Sequence, residues 1–254
     1  EFSIEKVKQM LLFNKIELIP VVNANGCVKD FITWNQVFSD NQALRFPTSK
    51  INIPVVVMAG GKGTRLEPFS NIFPKALIPI GEKPIIEMII DEFRSYGVSK
   101  YYITLNHKGD MIESYFNHMQ KDYDIKFVRE TNFMGTAGSL MLLEGKISDV
   151  FIVSNCDVIV RANFEEVVNF HKEKKALLTI LSSMQHYKIP YGVIEFKEDG
   201  QVTNMIEKPE YVFTINTGVY ILNKEVLKFI PEQTSFDMTD LIKILIKNNK
   251  KVAT

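Results

Sequence analysis

Val55, Val56, Val57 and Met58 run straight into Gly60-Gly61-Lys62-Gly63-Thr64-Arg65, and this junction constrains the chain more than any other stretch. Four consecutive apolar residues predict a buried parallel strand. The glycines that follow let the backbone turn tightly and lay its N–H groups against an anion, because no Cβ blocks the approach. Arg65 and, further on, Lys75 add two cations able to close on that anion. The strand and its turn therefore predict a layered α/β fold, with a phosphate-rich ligand as the natural occupant of the turn. Two other glycine-rich loops are excluded. A P-loop needs Lys and Ser/Thr directly after its last glycine, and a dinucleotide fingerprint needs a third glycine where Leu66 stands.

From Ile51 onward strands and helices alternate, which predicts an open, mostly parallel sheet with helices on both faces. The helices expected are a run from Ile85 ending at Gly97, then Met111 to Met119, Thr136 to Leu143 and Asn163 to Lys174. The strands expected are Tyr101 to Leu105, Ile125 to Val128, Phe151 to Ser154 and Ala176 to Leu181, with three more runs between Tyr191 and Tyr220. Asp237 reads as the N-cap of a helix over Leu241 to Lys247, with no catalytic role. Residues 1–46 read as a small unit of their own: helix Ser3 to Phe13, strand Ile16 to Val22, an Asn25-Gly26 turn, return strand Cys27 to Ile32, and a second helix Thr33 to Phe38. Residues 47–53 form a linker, and residues 54–254 the second domain.

Lys plus Arg and Asp plus Glu both number 30, so no basic field exists to hold nucleic acid or an anionic membrane nonspecifically. No apolar run reaches the length of a membrane span. Cys27 and Cys156 are too few for a disulfide framework, which makes the cytoplasm the expected compartment. The four histidines take up no metal-ligand spacing with cysteines or acids, which excludes a zinc or haem centre on sequence grounds.

The stretch Gly60 to Pro79, GGKGTRLEPFSNIFPKALIP, resembles the signature of the sugar-1-phosphate nucleotidyltransferases, GGxGTRLxP followed by PKxLxP. That resemblance implies a Rossmann-like mixed sheet and an enzyme that joins an NTP to a sugar 1-phosphate and releases pyrophosphate. It implies nucleotide contacts from Gly60, Gly61, Gly63 and Thr64, and catalytic roles for Arg65 and Lys75. Asp157, after the apolar run FIVSNC, would ligate Mg²⁺, although an Asp at a strand end is also a common turn former or helix cap. Gly135 and Thr136 match the family's GTAG element, which lies against the nucleoside. Glu130 stands where relatives carry Gln or Glu. A carboxylate only accepts hydrogen bonds, and guanine offers two adjacent donors, so Glu130 favours GTP over pyrimidine nucleotides. Gly192 in YGV, Glu207 and Lys208 in EKP, and Asn216 in NTG resemble the elements around the sugar phosphate.

Residues 1–46 resemble the second half of a CBS module. Gln36 stands where nucleotide-binding modules carry Asp, so ligand binding and an oligomer-forming role both stay open, the latter implying a homo-oligomer. Family members carry a second metal-binding Asp beyond a strand that Lys250 to Thr254 resembles, and the chain reads as cut at both ends. A catalytically silent nucleotide- and sugar-phosphate-binding regulator is the alternative function. An oxidoreductase is disfavoured by the missing dinucleotide fingerprint.

Overall fold

The computed structural model describes residues 3–254 apart from 15, 24–25, 34–36, 38–49, 62, 64–66, 148 and 233. The chain divides into two compact units, one of Thr48–Met184 with Thr214–Thr254, the other of Glu1–Pro47 with Gln185–Phe213. In the N-terminal segment the described elements are helix α1 (Ile4–Asn14) and the antiparallel pair β1 (Leu18–Val22) and β2 (Val28–Thr33). The central sheet is formed by β3 (Val55–Met58), β6 (Lys100–Leu105), β7 (Asp124–Arg129), β8 (Val150–Asn155), β9 (Leu178–Lys188), β12 (Glu210–Asn223) and β13 (Val252–Ala253). The small pairs β4 (Pro79–Ile80) with β5 (Lys83–Pro84), and β10 (Val193–Phe196) with β11 (Val202–Ile206), stand outside it. The sheet order is β13-β9-β12-β8-β3-β6-β7, and β3, β6, β7 and β8 run parallel while β12 is antiparallel to β8.

Side chains alternate across a strand, and the sheet uses both faces. Tyr101 points to helix α2 (Ile85–Ser95), where its hydroxyl donates to Ile90 O at 3.3 Å and to Val98 O at 3.1 Å. Phe93 of α2 packs on Phe164 of helix α5 (Phe164–Lys174), ring centroids 4.6 Å apart. Tyr102, one residue on, joins the opposite core with Val56, Val153, Leu140 and Leu143. Leu241 and Leu245 of helix α6 (Met238–Lys247) close that core. Helix α3 (Gly109–Asn117) and the single turn α4 (Gly135–Gly138) are further helical elements among the described residues. Asn163 caps α5 by accepting from Glu166 N while its amide donates to Glu166 Oε1, a reciprocal cap that fixes where this helix starts.

The α/β reading of residues 54–254 is borne out, with most element boundaries moved by one to three residues. β9 and β12 are longer than their apolar patterns predict. Tyr187 and Phe213 face each other at 5.8 Å, and Ile189 N donates to Pro209 O at 3.0 Å, so cross-strand contacts carry the pair beyond the core. The YGV and EKP segments lead into and out of the β10–β11 hairpin, in the compact unit that also contains the N-terminal segment. Within that unit His186 faces Glu210 at 3.0 Å through Nδ1 and Glu17 at 3.6 Å through Nε2. The expected second N-terminal helix, Thr33 to Phe38, lies largely outside the described residues.

Candidate active site

The parallel ladders continue past the strand ends and so align three loops. Ala59 N donates to Thr104 O at 3.1 Å, and Glu130 N donates to Leu105 O at 2.8 Å. Gly60, Asn106 and Glu130 therefore leave the sheet side by side at its carboxyl edge. β8 flanks β3 on the other side, with Asn155 opposite Met58, and Asp157 follows two residues later. The chain runs β3, β6, β7 in one direction and then crosses back to β8. This is the switch point at which open α/β sheets hold ligands.

Gly63 sits at φ +71°, and a Cβ there would lie 3.1 Å from Lys75 Cβ and 3.3 Å from Ser70 Cβ. The glycine loop thus folds down onto the segment that carries Lys75. Lys108, itself left-handed at φ 55°, braces that segment by donating to Ser70 O at 2.8 Å. Pro74 opens a short 3-10 turn over Lys75–Leu77, and Lys75 Nζ pairs with Asp157 Oδ2. The two residues come from sequence positions far apart, and both are partly buried. Thr64 and Arg65 lie outside the described residues.

Glu130 is half-buried against the glycine loop. A Cβ on Gly60 would approach Glu130 Oε1 to 2.4 Å, so only glycine accommodates this carboxylate in place. Its Oε2 accepts from Met134 N at 3.3 Å and from Asn106 Nδ2 at 3.4 Å. Burial raises its pKa, while the bonds from Met134 and Asn106, with the Ser139 hydroxyl nearby, pull it back down. Ser139 Oγ is itself buried and finds no partner within hydrogen-bonding distance.

The GTAG turn α4 is placed by the chain just before α6. Gly135 takes φ +73°, and a Cβ on it would come within 2.6 Å of Phe236 O. Ala137 N and Gly138 N both donate to Phe236 O, at 2.8 and 3.0 Å, and Phe236 N returns a bond to Met134 O at 2.9 Å. Thr136 N and Oγ1 donate to Asp237 Oδ1 at 3.0 and 3.1 Å, and Thr136 Oγ1 accepts from Met238 N at 2.8 Å. The resemblance sets this turn against the nucleoside. In the structure the amides of 136–138 are spent on Phe236 and Asp237. Asp237 does occupy the N-cap position of α6, but its side chain serves Thr136.

Asn216 is also engaged internally. Its amide donates to Tyr220 Oη at 2.7 Å, and its carbonyl accepts from Gly218 N at 2.9 Å. Gly218 in β12, at φ +81°, would place a Cβ 2.5 Å from Asn155 Nδ2, so only glycine lets this strand pack so closely on Asn155. In the other compact unit a Cβ on Gly192 would lie 2.8 Å from Met205 Cε and 3.1 Å from Glu207 Oε2. Lys208 there is left-handed, at φ 46°, and exposed.

Residues 54–254 match the family model described as "Nucleotidyl transferase". The chain belongs to this nucleotidyltransferase family. It is 31% identical over 202 residues to a UTP–glucose-1-phosphate uridylyltransferase of Synechocystis sp., covering 72% of this chain and 52% of that one. It is 36% identical over 183 residues to a mannose-1-phosphate guanyltransferase of Yarrowia lipolytica, covering 69% and 50%. The chain spans about half the length of the curated relatives it matches. Among solved structures it resembles HddC from Yersinia pseudotuberculosis, with TM-score 0.62 and 25% identity over 79% of this chain and 88% of that one. The same HddC complexed with GMP-PN gives TM-score 0.58 and 26% identity, over 73% and 82%.

The candidate site holds residues that sequence reasoning missed. Asn106, Ser70 and Lys108 carry no motif. Asn106 is placed by the register of β6 with β3 and β7, and Lys108 meets Ser70 across the fold, neither of which a local pattern displays. A groove of about 840 Å³ that includes Lys50, Asn52, Arg94 and Asp122 lies before β3, β6 and β7, at the opposite edge of the sheet. Its Arg94 is already satisfied by Asp91 and Asp122.

Nucleotidyltransferases of this family typically use a divalent metal. Asp157 offers a hard oxygen ligand, and among the described residues no group of three metal donors includes it. A hard divalent cation suits such a place, because it can bind through one or two carboxylates and complete its shell with phosphate oxygens and water. The neighbouring Cys156 thiol is buried and its pKa is pushed up to about 12 by that burial, so it supplies no thiolate nucleophile.

Proposed function

We propose that this nucleotidyltransferase transfers a nucleotidyl group from an NTP, with GTP favoured, to a sugar 1-phosphate in a Mg²⁺-dependent reaction. The observation that carries this reading is the Lys75–Asp157 pair, set beside Gly63 at the carboxyl ends of β3 and β8. An oxygen of the sugar 1-phosphate attacks the α-phosphorus, the bond from that phosphorus to the β-phosphate bridging oxygen breaks, and pyrophosphate leaves with the electron pair. The attacking phosphate is ionised near neutral pH, so no general base is needed. Positioning and charge stabilisation then supply the rate.

Gly60, Gly61, Gly63, Thr64 and Arg65 are assigned to the triphosphate, and Lys75 to the charge that develops around the α-phosphorus. Glu130 is assigned to the base, with Gly135 and Thr136 as the wall beside it. Asp157 would hold the magnesium ion, which when bound neutralises phosphate charge. Gly192, Glu207, Lys208 and Asn216 are assigned to the sugar phosphate by their match to the family elements alone. The N-terminal segment is read as half of a CBS module able to form a homo-oligomer, and the cytoplasm as its compartment. No helix among the described residues is long and apolar enough to cross a membrane.

The test is pyrophosphate release from a panel of NTPs and sugar 1-phosphates with Mg²⁺. Turnover with GTP and at least one sugar 1-phosphate is expected. Nucleotide binding without pyrophosphate release from any pair would leave the silent regulator instead.

A further inference from the structure

Two carboxylates stand at this edge of the sheet in opposite electrostatic settings. Asp157 has Lys75 as its counter-charge. Glu130 has none among the described residues. What surrounds it is neutral: the Gly60 backbone from the β3 loop, Asn106 after β6, and Met134 N and Ser139 from the GTAG segment. Arg129, next to it on β7, turns away to Asp110 and Glu113. Both bonds on Oε2 are long and come from neutral donors, and Oε1 lies against Gly60. A half-buried carboxyl group with neutral neighbours takes a proton more readily than one in water.

The proton changes what the group can recognise. An ionised carboxylate offers acceptors only, and guanine presents two adjacent donors, N1–H and its exocyclic amine. Uracil sets a carbonyl on each side of N3–H, so the second carboxylate oxygen would face an oxygen. A protonated carboxyl offers one donor and one acceptor, which pair with the uracil O4 and N3–H.

We propose that Glu130 selects the base through its own protonation: ionised, it restricts the site to guanosine nucleotides, and protonated, it admits uridine nucleotides. The proton comes from solvent and returns there when a guanosine nucleotide binds. The direction of its pKa agrees, since burial raises it. Guanine preference is therefore held at neutral pH and eroded as pH falls toward that raised value, earlier than for an ordinary carboxylate. This inference rests on the assignment of Glu130 to the base.

The test measures affinities of the full chain for GTP and UTP, with Mg²⁺, at neutral and mildly acidic pH, alongside Glu130→Gln. The amide keeps the shape and cannot titrate. Acidification is expected to lower the wild-type preference for GTP over UTP by roughly tenfold or more. Glu130→Gln is expected to show the lower preference at both pH values. Calorimetry in buffers of different ionisation enthalpy should find a proton released on GTP binding at acidic pH by wild type and not by the variant. A wild-type preference that ignores pH but disappears in Glu130→Gln overturns the inference and leaves the base assignment standing. A preference unmoved by the substitution overturns both. A pH dependence that survives in Glu130→Gln places the titrating group elsewhere and overturns the inference. Failure of either nucleotide to bind removes the proposed function and the inference with it.

Discussion

Gly60 and Glu130 meet so closely that each limits what the other can be. A Cβ at position 60 would need the space of Oε1, at 2.4 Å, but that atom is the far end of a flexible side chain. Gly60→Ala should therefore fold and push the Glu130 carboxylate aside. The expected result is a melting temperature close to wild type with GTP affinity reduced by roughly tenfold, the scale of one lost charge-assisted hydrogen bond. Unchanged GTP affinity in folded Gly60→Ala would mean that Glu130 does not read the base where it now sits. Lys75 makes the second residue-scale case. Deleting its ammonium leaves the partly buried Asp157 without its partner and removes the cation proposed for the α-phosphorus. Lys75→Ala should lower pyrophosphate release by about 10²-fold or more while circular dichroism stays native-like. Near-normal turnover in that variant would remove Lys75 from the mechanism. Both residues were legible in the sequence because the glycine-loop motif carries them. Their partners, Glu130 and Asp157, were legible as well, but the meetings between them were not.

At the scale of elements, the GTAG turn carries a structural job that its motif does not display. Small residues at a helix start favour close approach, but what approaches is the chain at Phe236 and Asp237. Gly135 and Gly145 have nearly the same φ, +73° and +72°, but different surroundings, since nothing lies within 4 Å of a Cβ at 145. Gly145→Ala should cost only the left-handed penalty, about 1–2 kcal/mol. Gly135→Ala adds a clash with immobile backbone at 2.6 Å and should cost clearly more than its twin. Denaturant unfolding of both variants checks this, and equal losses would show that the strap onto Phe236 is not tight. Asp237→Ala removes the acceptor of two Thr136 bonds, and a loss of about 1–3 kcal/mol is expected by the same measurement. The strand pattern was readable from runs such as Phe151–Val153. The strap was not, because its partners are a hundred residues apart and meet through backbone atoms that every residue possesses.

For the molecule as a whole, the packing of α5 on the sheet predicts an acid-sensitive stability. His171 is buried, with Nδ1 2.8 Å from Thr179 Oγ1 and Nε2 3.5 Å from Asn223 Oδ1. Burial lowers its pKa from 6.5. The unfolded chain then takes up this proton near pH 6.5, while the folded chain resists it until lower pH. Stability from this group is full above that range and is lost as pH falls through it, because the unfolded state binds more protons there. His171→Asn keeps a group able to reach Thr179 and removes the titration. Its unfolding free energy should decline less steeply with acid than that of wild type. Parallel slopes would show that His171 does not contribute.

The sequence by itself determined the strand–helix alternation, the parallel character of the buried runs and the family of the chain, since each depends on residues close together or on fixed spacing. It also pointed to Lys75, Asp157 and Glu130 singly. Only the tertiary structure decided which of them meet. Strand order and register bring Asp157 to Lys75, and Glu130 to Gly60 and Asn106. The grouping of the β10–β11 hairpin with the N-terminal segment is likewise a long-range outcome. Such contacts arise from burial summed over the whole sheet, and no single stretch of sequence contains that sum.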